Sequence, residues 1–148
     1  MKIKINNIPQ EGLTIEEKRD ASELDLARDD LKFATPITLT IFINKDKDEA
    51  YAHVTAGGKI EAVCSRCLSS YTVDFKRDFD FSYDLRGKNV VDMTDDIRSE
   101  IILEYPVKPL CKEGCKGLCQ VCGKNLNEGS CGHKTDVQKW NRIEKSGN

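Results

Sequence analysis

Seven cysteines in a chain of 148 residues stand in four tight groups: Cys64-x-x-Cys67, Cys111-x-x-x-Cys115, Cys119-x-x-Cys122, and Cys131 with His133 two places on. Cysteines two to four residues apart let one tight turn offer two thiolates to a single ion, which is how structural zinc sites are built. Gly123 after Cys122 and Gly132 between Cys131 and His133 suit the turns such knuckles need. Seven thiols and one imidazole make eight ligands, enough for two tetrahedral sets, so the expected cofactor is one or two structural Zn2+ ions. Two partitions are open. One joins Cys64 and Cys67 to Cys111 and Cys115 and leaves Cys119, Cys122, Cys131 and His133 as a local set. The other joins Cys64 and Cys67 to Cys119 and Cys122, in the manner of a long zinc ribbon. The odd cysteine count excludes complete pairing into disulfides. No apolar run approaches the roughly 18 to 20 residues of a membrane span. Residues 1–9 carry no apolar leader segment. The expected location is therefore cytoplasmic, where structural disulfides are rare.

Other chemistries fit these residues less well. A lone C-x-x-C can be a redox pair, but that chemistry wants the motif at a helix N-terminus near a βαβ unit, whereas Cys64 closes a strand-like run. Isolated cysteines are often inert core residues; four tight groups are not isolated. A catalytic zinc keeps an open position and usually a nearby carboxylate, and no H-x-E or H-E-x-x-H accompanies these cysteines. Asp95-Asp96 and Asp78/Asp80 read as solvated faces or caps, and His53 as a structural residue within a strand. No phosphate-binding loop, dinucleotide loop or Ser/His/Asp arrangement is present. The reading is not an enzyme, with no small-molecule substrate and no membrane partner.

The formal net charge is -2, which gives no global attraction for nucleic acid. The charges are unevenly placed: residues 11–32 hold eight acids and four bases, residues 108–145 eight bases and four acids. Lys108, Lys112, Lys116, Lys124 and Lys134, with Arg142 beyond, could meet phosphates, and Trp140 could stack on a base or pack a terminal helix. Seven thiolates and two divalent ions together add three negative charges, mostly in the tail, and offset that basicity.

The elements that must position these residues follow from periodicity. Residues 1–8 alternate as a strand. Residues 14–27 are charged and weakly amphipathic, either a short helix with Thr14 as N-cap and Glu17 as its capping-box partner or a mobile connection. Residues 38–43 are rich in β-branched and aromatic side chains, with Leu39, Ile41 and Ile43 on one face. Residues 44–49 are a polar turn, residues 50–55 a second strand, Gly57-Gly58 a hairpin turn and residues 59–64 a third strand. Alternation resumes at Tyr71, Val73, Phe75, Phe79, Phe81 and Tyr83. Residues 92–105 predict a helix with Ile97 and Ile101 on one face and Asp92 or Thr94 as cap, ended by Pro106. The fold class is α+β: an antiparallel meander, one main helix near 94–104, and a C-terminal zinc-knuckle module. The expected divisions are a β-rich domain over 1–109, the cysteine module over 110–134, and a short terminal helix or tail over 135–148. The module has too little aliphatic content to fold alone.

The run Cys64-Ser-Arg-Cys67-Leu68, the segment Ile101-Ile102-Leu103-Glu104-Tyr105-Pro106, and the stretch Lys116-Gly-Leu-Cys-Gln-Val-Cys-Gly-Lys-Asn-Leu-Asn127 within residues 110–131 resemble the YceD family of large ribosomal RNA subunit accumulation proteins. The likeness runs from about the first strand to His133. It implies a cytoplasmic bacterial protein supporting large-subunit ribosomal RNA accumulation or processing and ribosome assembly. Members are often encoded beside a small zinc-binding ribosomal protein. Some carry histidines where Cys111 and Cys115 stand, an exchange a shared zinc site permits. Many end the module Cys-x-Cys, where this chain has His133. The expected partners are pre-ribosomal large-subunit RNA, a ribosomal protein, or both. A nuclease, a thiol redox protein and a pure protein adaptor are the competing classes.

Overall fold

The structure, a computed structural model, describes residues 1–133; the expected terminal helix, Lys134, Trp140 and Arg142 lie outside them. In chain order the elements are β1 (Lys2–Lys4), a 3-10 turn (Ile5–Asn7), β2 (Leu13–Arg19), β3 (Leu31–Phe33), β4 (Ile37–Asp46), β5 (Glu49–Val63), β6 (Ser70–Asp84), β7 (Val90–Asp92) and α1 (Thr94–Leu103). The chain divides into two compact units. The first is Met1–Ala62 with Tyr71–Val107; the second, among the described residues, is Val63–Ser70 with residues 108–133.

The fold is mostly antiparallel sheet with one α-helix among the described residues. β2 pairs with β4, β4 with β5, and both β3 and β6 with β5; β1 and β7 form a separate two-stranded ladder. The expected meander is β4-β5-β6. Inward residues keep one parity along each strand: Ile37, Leu39, Ile41 and Ile43 on β4, and Ala50, Ala52, Val54, Ala56, Ile60 and Ala62 on β5, are all buried. They join Leu24, Leu26, Leu31, Phe75, Phe79, Met93, Ile97, Ile101 and Tyr105 in one apolar cluster. The small alanines of β5 leave room for the larger side chains opposite, as close packing requires.

Three local expectations are corrected. Residues 14–27 form neither a helix nor a free connection. Leu13–Arg19 is a strand in register with β4, from Leu13 opposite Ile43 to Arg19 opposite Ile37. Glu17 and Arg19, two apart, share a strand face and are ion-paired at 2.8 Å, a geometry a helix would deny them. Beyond it Leu24 and Leu26 turn into the core. Gly57-Gly58 is no hairpin: β5 runs through both, since Thr38 pairs with Gly57 and Phe33 with Ile60. Neither glycine has a positive φ, and Phe33 lies so near that a Cβ on Gly58 would stand 3.3 Å from its ring. Residues 1–8 give only the short β1 before the 3-10 turn.

The helix lies where expected, but its N-cap is Met93 and makes no side-chain cap bond. Asp92 serves instead: its Oδ1 accepts from the Thr94 N–H at 3.1 Å and the Thr94 hydroxyl at 2.6 Å. The Met1 nitrogen donates to the same oxygen at 3.1 Å. Asp95 and Asp96 occupy the first turn, where the helix dipole favours negative charge. At the other end the buried Tyr105 hydroxyl donates to the Leu26 carbonyl at 2.9 Å. Burial pushes that hydroxyl up to about 12.

Ile41→Ala, emptying a fully buried site opposite Val54, is expected to cost about 2–5 kcal/mol in urea unfolding. Thr38→Ala, on the exposed face of the same strand, should cost under about 1 kcal/mol. The Thr94 hydroxyl and N–H and the Met1 nitrogen hold the Asp92 carboxyl well below the usual carboxylate range. A depressed folded value gives stability that is complete above the ordinary Asp range and fades as pH falls toward the folded value. Asp92→Asn should therefore lower the melting temperature at pH 7, with the gap to the parent shrinking below about pH 4.

Candidate metal centres

All eight predicted ligands lie in the second unit. The first pair brackets the connection from β5 to β6. The Cys64 N–H donates to the Ser69 carbonyl at 3.0 Å, the Leu68 N–H returns to the Cys64 carbonyl at 2.9 Å, and Ser65 N–H reaches the Pro109 carbonyl at 2.8 Å. Closing the turn puts Leu68 at φ 56, unusual for a γ-branched residue. Cys111 and Cys115 flank a second turn in which the Cys115 N–H donates to the Lys112 carbonyl at 3.1 Å. Arg66 ties the two turns: its Nη1 donates to the Cys115 carbonyl at 3.0 Å, and its own carbonyl accepts from Leu118 N–H at 3.1 Å. Gly117, at φ +74, permits that approach, since a Cβ there would stand 3.1 Å from the Arg66 oxygen.

The third turn, Cys119 to Cys122, closes by Gly123 N–H onto the Cys119 carbonyl at 2.8 Å, with Gly123 itself at φ +70. Cys119 N–H donates to the Lys124 carbonyl at 2.8 Å, so the chain doubles back beside residues 117–119. Cys131 and His133 then return to this turn.

The structure gathers Cys64, Cys67, Cys111 and Cys115 in one group, and Cys119, Cys122, Cys131 and His133 in another. Within each, the ligand atoms all lie within 4.8 Å of one another. In the first, Cys64 Sγ is 3.7 Å from Cys115 Sγ and Cys67 Sγ is 3.6 Å from Cys111 Sγ. These separations are far beyond a disulfide bond of about 2.05 Å. They approach the edge of a tetrahedron of sulfurs around a metal at about 2.3 Å, which is about 3.8 Å. In the second, Cys119 Sγ is 3.8 Å from His133 Nδ1. Cys64, Cys67 and Cys115 are buried with Cys111 half-buried; in the second group only Cys119 is buried, and Cys122 and His133 are exposed. Both sets could hold a metal ion, and four protein ligands would fill a tetrahedral shell without an open position.

The electrostatics of the thiols also fit a cation. Burial alone would raise Cys64, but backbone N–H groups of Cys111, Cys67 and Arg66 favour its thiolate and bring it down to about 6. Cys115 is lowered first by the Asn127 side chain, whose Nδ2 donates to its Sγ at 3.3 Å. Cys111 goes the other way, to about 12, through burial and through donating its proton to the neighbouring sulfurs. In the second group the N–H groups of Cys122 and Val121 bring Cys119 down to about 6. Cys131 receives a backbone hydrogen bond from His133, yet its bond to the Cys119 sulfur and its burial leave it raised. Each group thus pairs a ready thiolate with a thiol that keeps its proton. A divalent cation supplies the charge needed to release that proton.

The remaining candidates are scattered. Lys112, Lys116 and Lys124 are exposed on the second unit, and the Lys124 ammonium donates to the Ser130 carbonyl at 3.2 Å. His53 belongs to the sheet of the first unit, where its Nδ1 is 2.7 Å from Asp80. Asp78 accepts from the Thr55 hydroxyl at 2.6 Å, and Asp96 from Tyr83. Sequence reasoning overlooked Arg66, Gly117, Asn125 and Asn127. Arg66 stood in the run Cys64 to Leu68 and the other three in the motif Lys116 to Asn127, but a residue's role as a brace has no spacing rule of its own.

An antiparallel β unit sharing a chain with two cysteine-centred candidate metal sites defines the class. Residues 81–145 match the family described as large ribosomal RNA subunit accumulation protein YceD. It is 27% identical over 113 residues to an uncharacterized protein of Mycobacterium leprae (strain TN), covering 65% of this chain and 52% of that one. It is 39% identical over 41 residues to the large ribosomal RNA subunit accumulation protein YCED homolog 1, chloroplastic, of Arabidopsis thaliana, covering 28% and 13% respectively. The chain thus spans about half, or less, of the curated relatives it matches. No solved structure matches it. No helix of the described residues is long and apolar enough to cross a membrane.

Isolated at pH 7.5, the chain is expected to hold two divalent ions per molecule by elemental analysis, and to release protons on reloading after chelation. Protons already compete for Cys111 and Cys131, whose thiols are raised, and as pH falls below about 6 they also claim Cys64 and Cys119, the most acidic thiols. Dialysis at pH 5 should strip the metal, the exposed group first, and open the thiols to alkylation.

Proposed function

We propose that this chain is a non-enzymatic factor supporting accumulation or processing of large-subunit ribosomal RNA in the cytoplasm, its cysteine module held by two structural zinc ions. The observation that carries the reading is the convergence of eight candidate ligands into two groups of four, in a chain whose residues 81–145 match the YceD family. The donor sets, four thiolates in one and three with an imidazole in the other, are those Zn2+ favours, and filled shells suit a structural role. Zinc would supply the charge and cross-links that a segment poor in apolar side chains lacks. The family's name supplies the ribosomal setting.

The exposed Lys112, Lys116 and Lys124 are the residues proposed to meet phosphate, with Lys134 and Arg142 from the same basic stretch. A second reading, an adaptor acting on a ribosomal protein without RNA contact, has its own support. In residues 1–62 and 71–107 acids outnumber bases 21 to 14, a balance suited to a basic protein partner.

Both readings are tested by purifying the tagged chain with and without nuclease and sequencing what accompanies it. The expected result is large-subunit precursor RNA, lost on nuclease treatment. Binding of that RNA should weaken with salt, and a Lys112→Glu/Lys116→Glu/Lys124→Glu variant should flatten the log-log salt dependence by about one unit per lost contact. Survival of a ribosomal protein after nuclease would favour the adaptor. Neither RNA nor ribosomal protein, with an unaltered subunit RNA ratio in a deletion strain, would overturn the assignment.

A further inference from the structure

Asn127 lies in sequence between Cys122 and Cys131, two members of the second cysteine group, yet its side chain serves the first. Its Nδ2 donates to Cys115 Sγ at 3.3 Å and to Asn125 Oδ1 at 2.8 Å. Its Oδ1 accepts from the Lys116 N–H at 3.0 Å. The amide therefore cannot turn over: the Lys116 N–H requires an oxygen, which leaves the NH2 facing the sulfur. The segment that carries it is braced at each step. Asn127 N–H donates to Asn125 Oδ1 at 3.0 Å, and Leu126 N–H to the Gly117 carbonyl at 2.9 Å. Asn125 Nδ2 donates to Glu128 at 2.9 Å, and Leu118 and Asn125 form an isolated antiparallel bridge. Both ends of this segment leave from ligands of the second group, Cys122 and Cys131. Cys115 and Cys119, one from each group, are four residues apart.

We propose that Asn127 is a positioning residue coupling the two centres: closure of the second group around its ion delivers the Asn127 amide to Cys115 and so tightens metal binding at the first. The proposal rests on the reading that both groups bind metal. An N–H donated to a coordinated thiolate draws charge from the sulfur and fixes its direction, and groups of this kind typically change metal affinity 10- to 100-fold. With the second group open, the segment holding Asn127 loses the ligands that close it at both ends and is left with its hydrogen bonds, chiefly those to residues 116–119, since none of residues 123–130 is fully buried. The coupling is reciprocal: an ion at the first centre, by fixing Cys115, must favour closure of the second to the same degree.

The test uses the full chain, stripped of metal under reducing conditions and titrated with Co2+, then Zn2+. Cobalt absorption distinguishes a four-thiolate centre from a three-thiolate, one-imidazole centre. In the parent, two equivalents are expected. Asn127→Ala should weaken the four-thiolate centre 10- to 100-fold and move its sulfur-to-cobalt charge-transfer band to lower energy, leaving the other centre's band in place. Asn125→Ala, which keeps the amide but removes its brace, should give a smaller loss in the same direction. Cys122→Ser/Cys131→Ser, which leaves all four ligands of the first centre intact, should weaken that centre into the same range. Two equivalents bound by the parent, with the first centre's affinity and band unchanged in all three variants, would overturn the coupling while leaving the metal reading standing. No cobalt taken up by the parent would overturn the metal reading, and this proposal with it.

Discussion

The segment from Leu110 to His133 has almost nothing apolar to bury, and its shape depends on sulfur atoms converging in two places. Ordinary cores are held by excluding water from hydrocarbon, a force that needs area. This segment lacks the area: its buried residues are Pro109 at its approach, Cys115, Gly117 and Cys119. What remains is a lattice of short backbone bonds, each turning the chain so that another thiol faces inward. Such a lattice leaves negative charge gathered at two points, and charge gathered in that way asks for a cation. The rest of the second unit follows from this: left-handed glycines, an arginine that braces a turn through a carbonyl, and an asparagine amide spent on a sulfur.

The first unit is held by different means. β5 is the shared strand, bonded to β3, β4 and β6, and its inward face is largely alanine. A small-residue face leaves room for Leu39, Ile41 and Ile43 beside it on the paired strand β4, and Phe33 sets its ring edge-on against Phe75 at 5.5 Å. The helix closes over this unit with two fully buried isoleucines, Ile97 and Ile101. Arg98 of the helix and Tyr105 just beyond it tie this end to the chain before β3: Arg98 donates to the Leu24 carbonyl at 3.0 Å, and Tyr105 to that of Leu26.

Much of this was legible in the residues. β4 and β6 announced themselves by alternation, α1 by the spacing of Ile97 and Ile101, and the turns that carry the cysteines by their short spacings. Where reading failed, a long-range interaction outweighed a local signal. The charged run from Thr14 resembles a helix by composition, but the seven register pairs of Leu13–Arg19 with β4 make its first part a strand. Gly57-Gly58 resembles a hairpin by residue type, yet the parity of Ala50, Ala52, Val54 and Ala56 continues unbroken to Ile60 and Ala62, a cue that periodicity offered and turn chemistry masked. Which cysteines share a centre was open from spacing alone, because spacing describes pairs within a turn and says nothing about which turns meet. Asn127 was beyond reach for the same reason: its partner is a sulfur twelve residues away.

The two centres also differ in how much chain they enclose. The paired sulfurs of the first are 44 and 51 residues apart, whereas Cys119 and His133 are separated by 14. Closing a longer loop costs more entropy, though only logarithmically, and residues 71–107, inside the longer loop, have β6, β7 and the helix to form. An ion joining the ends of that loop would act on the unfolded chain as a long cross-link does, removing extended conformations that a short local clasp leaves untouched. Of the two, the distant centre would bear on the thermodynamics of the whole chain, and the local one mainly on the shape of its own few turns.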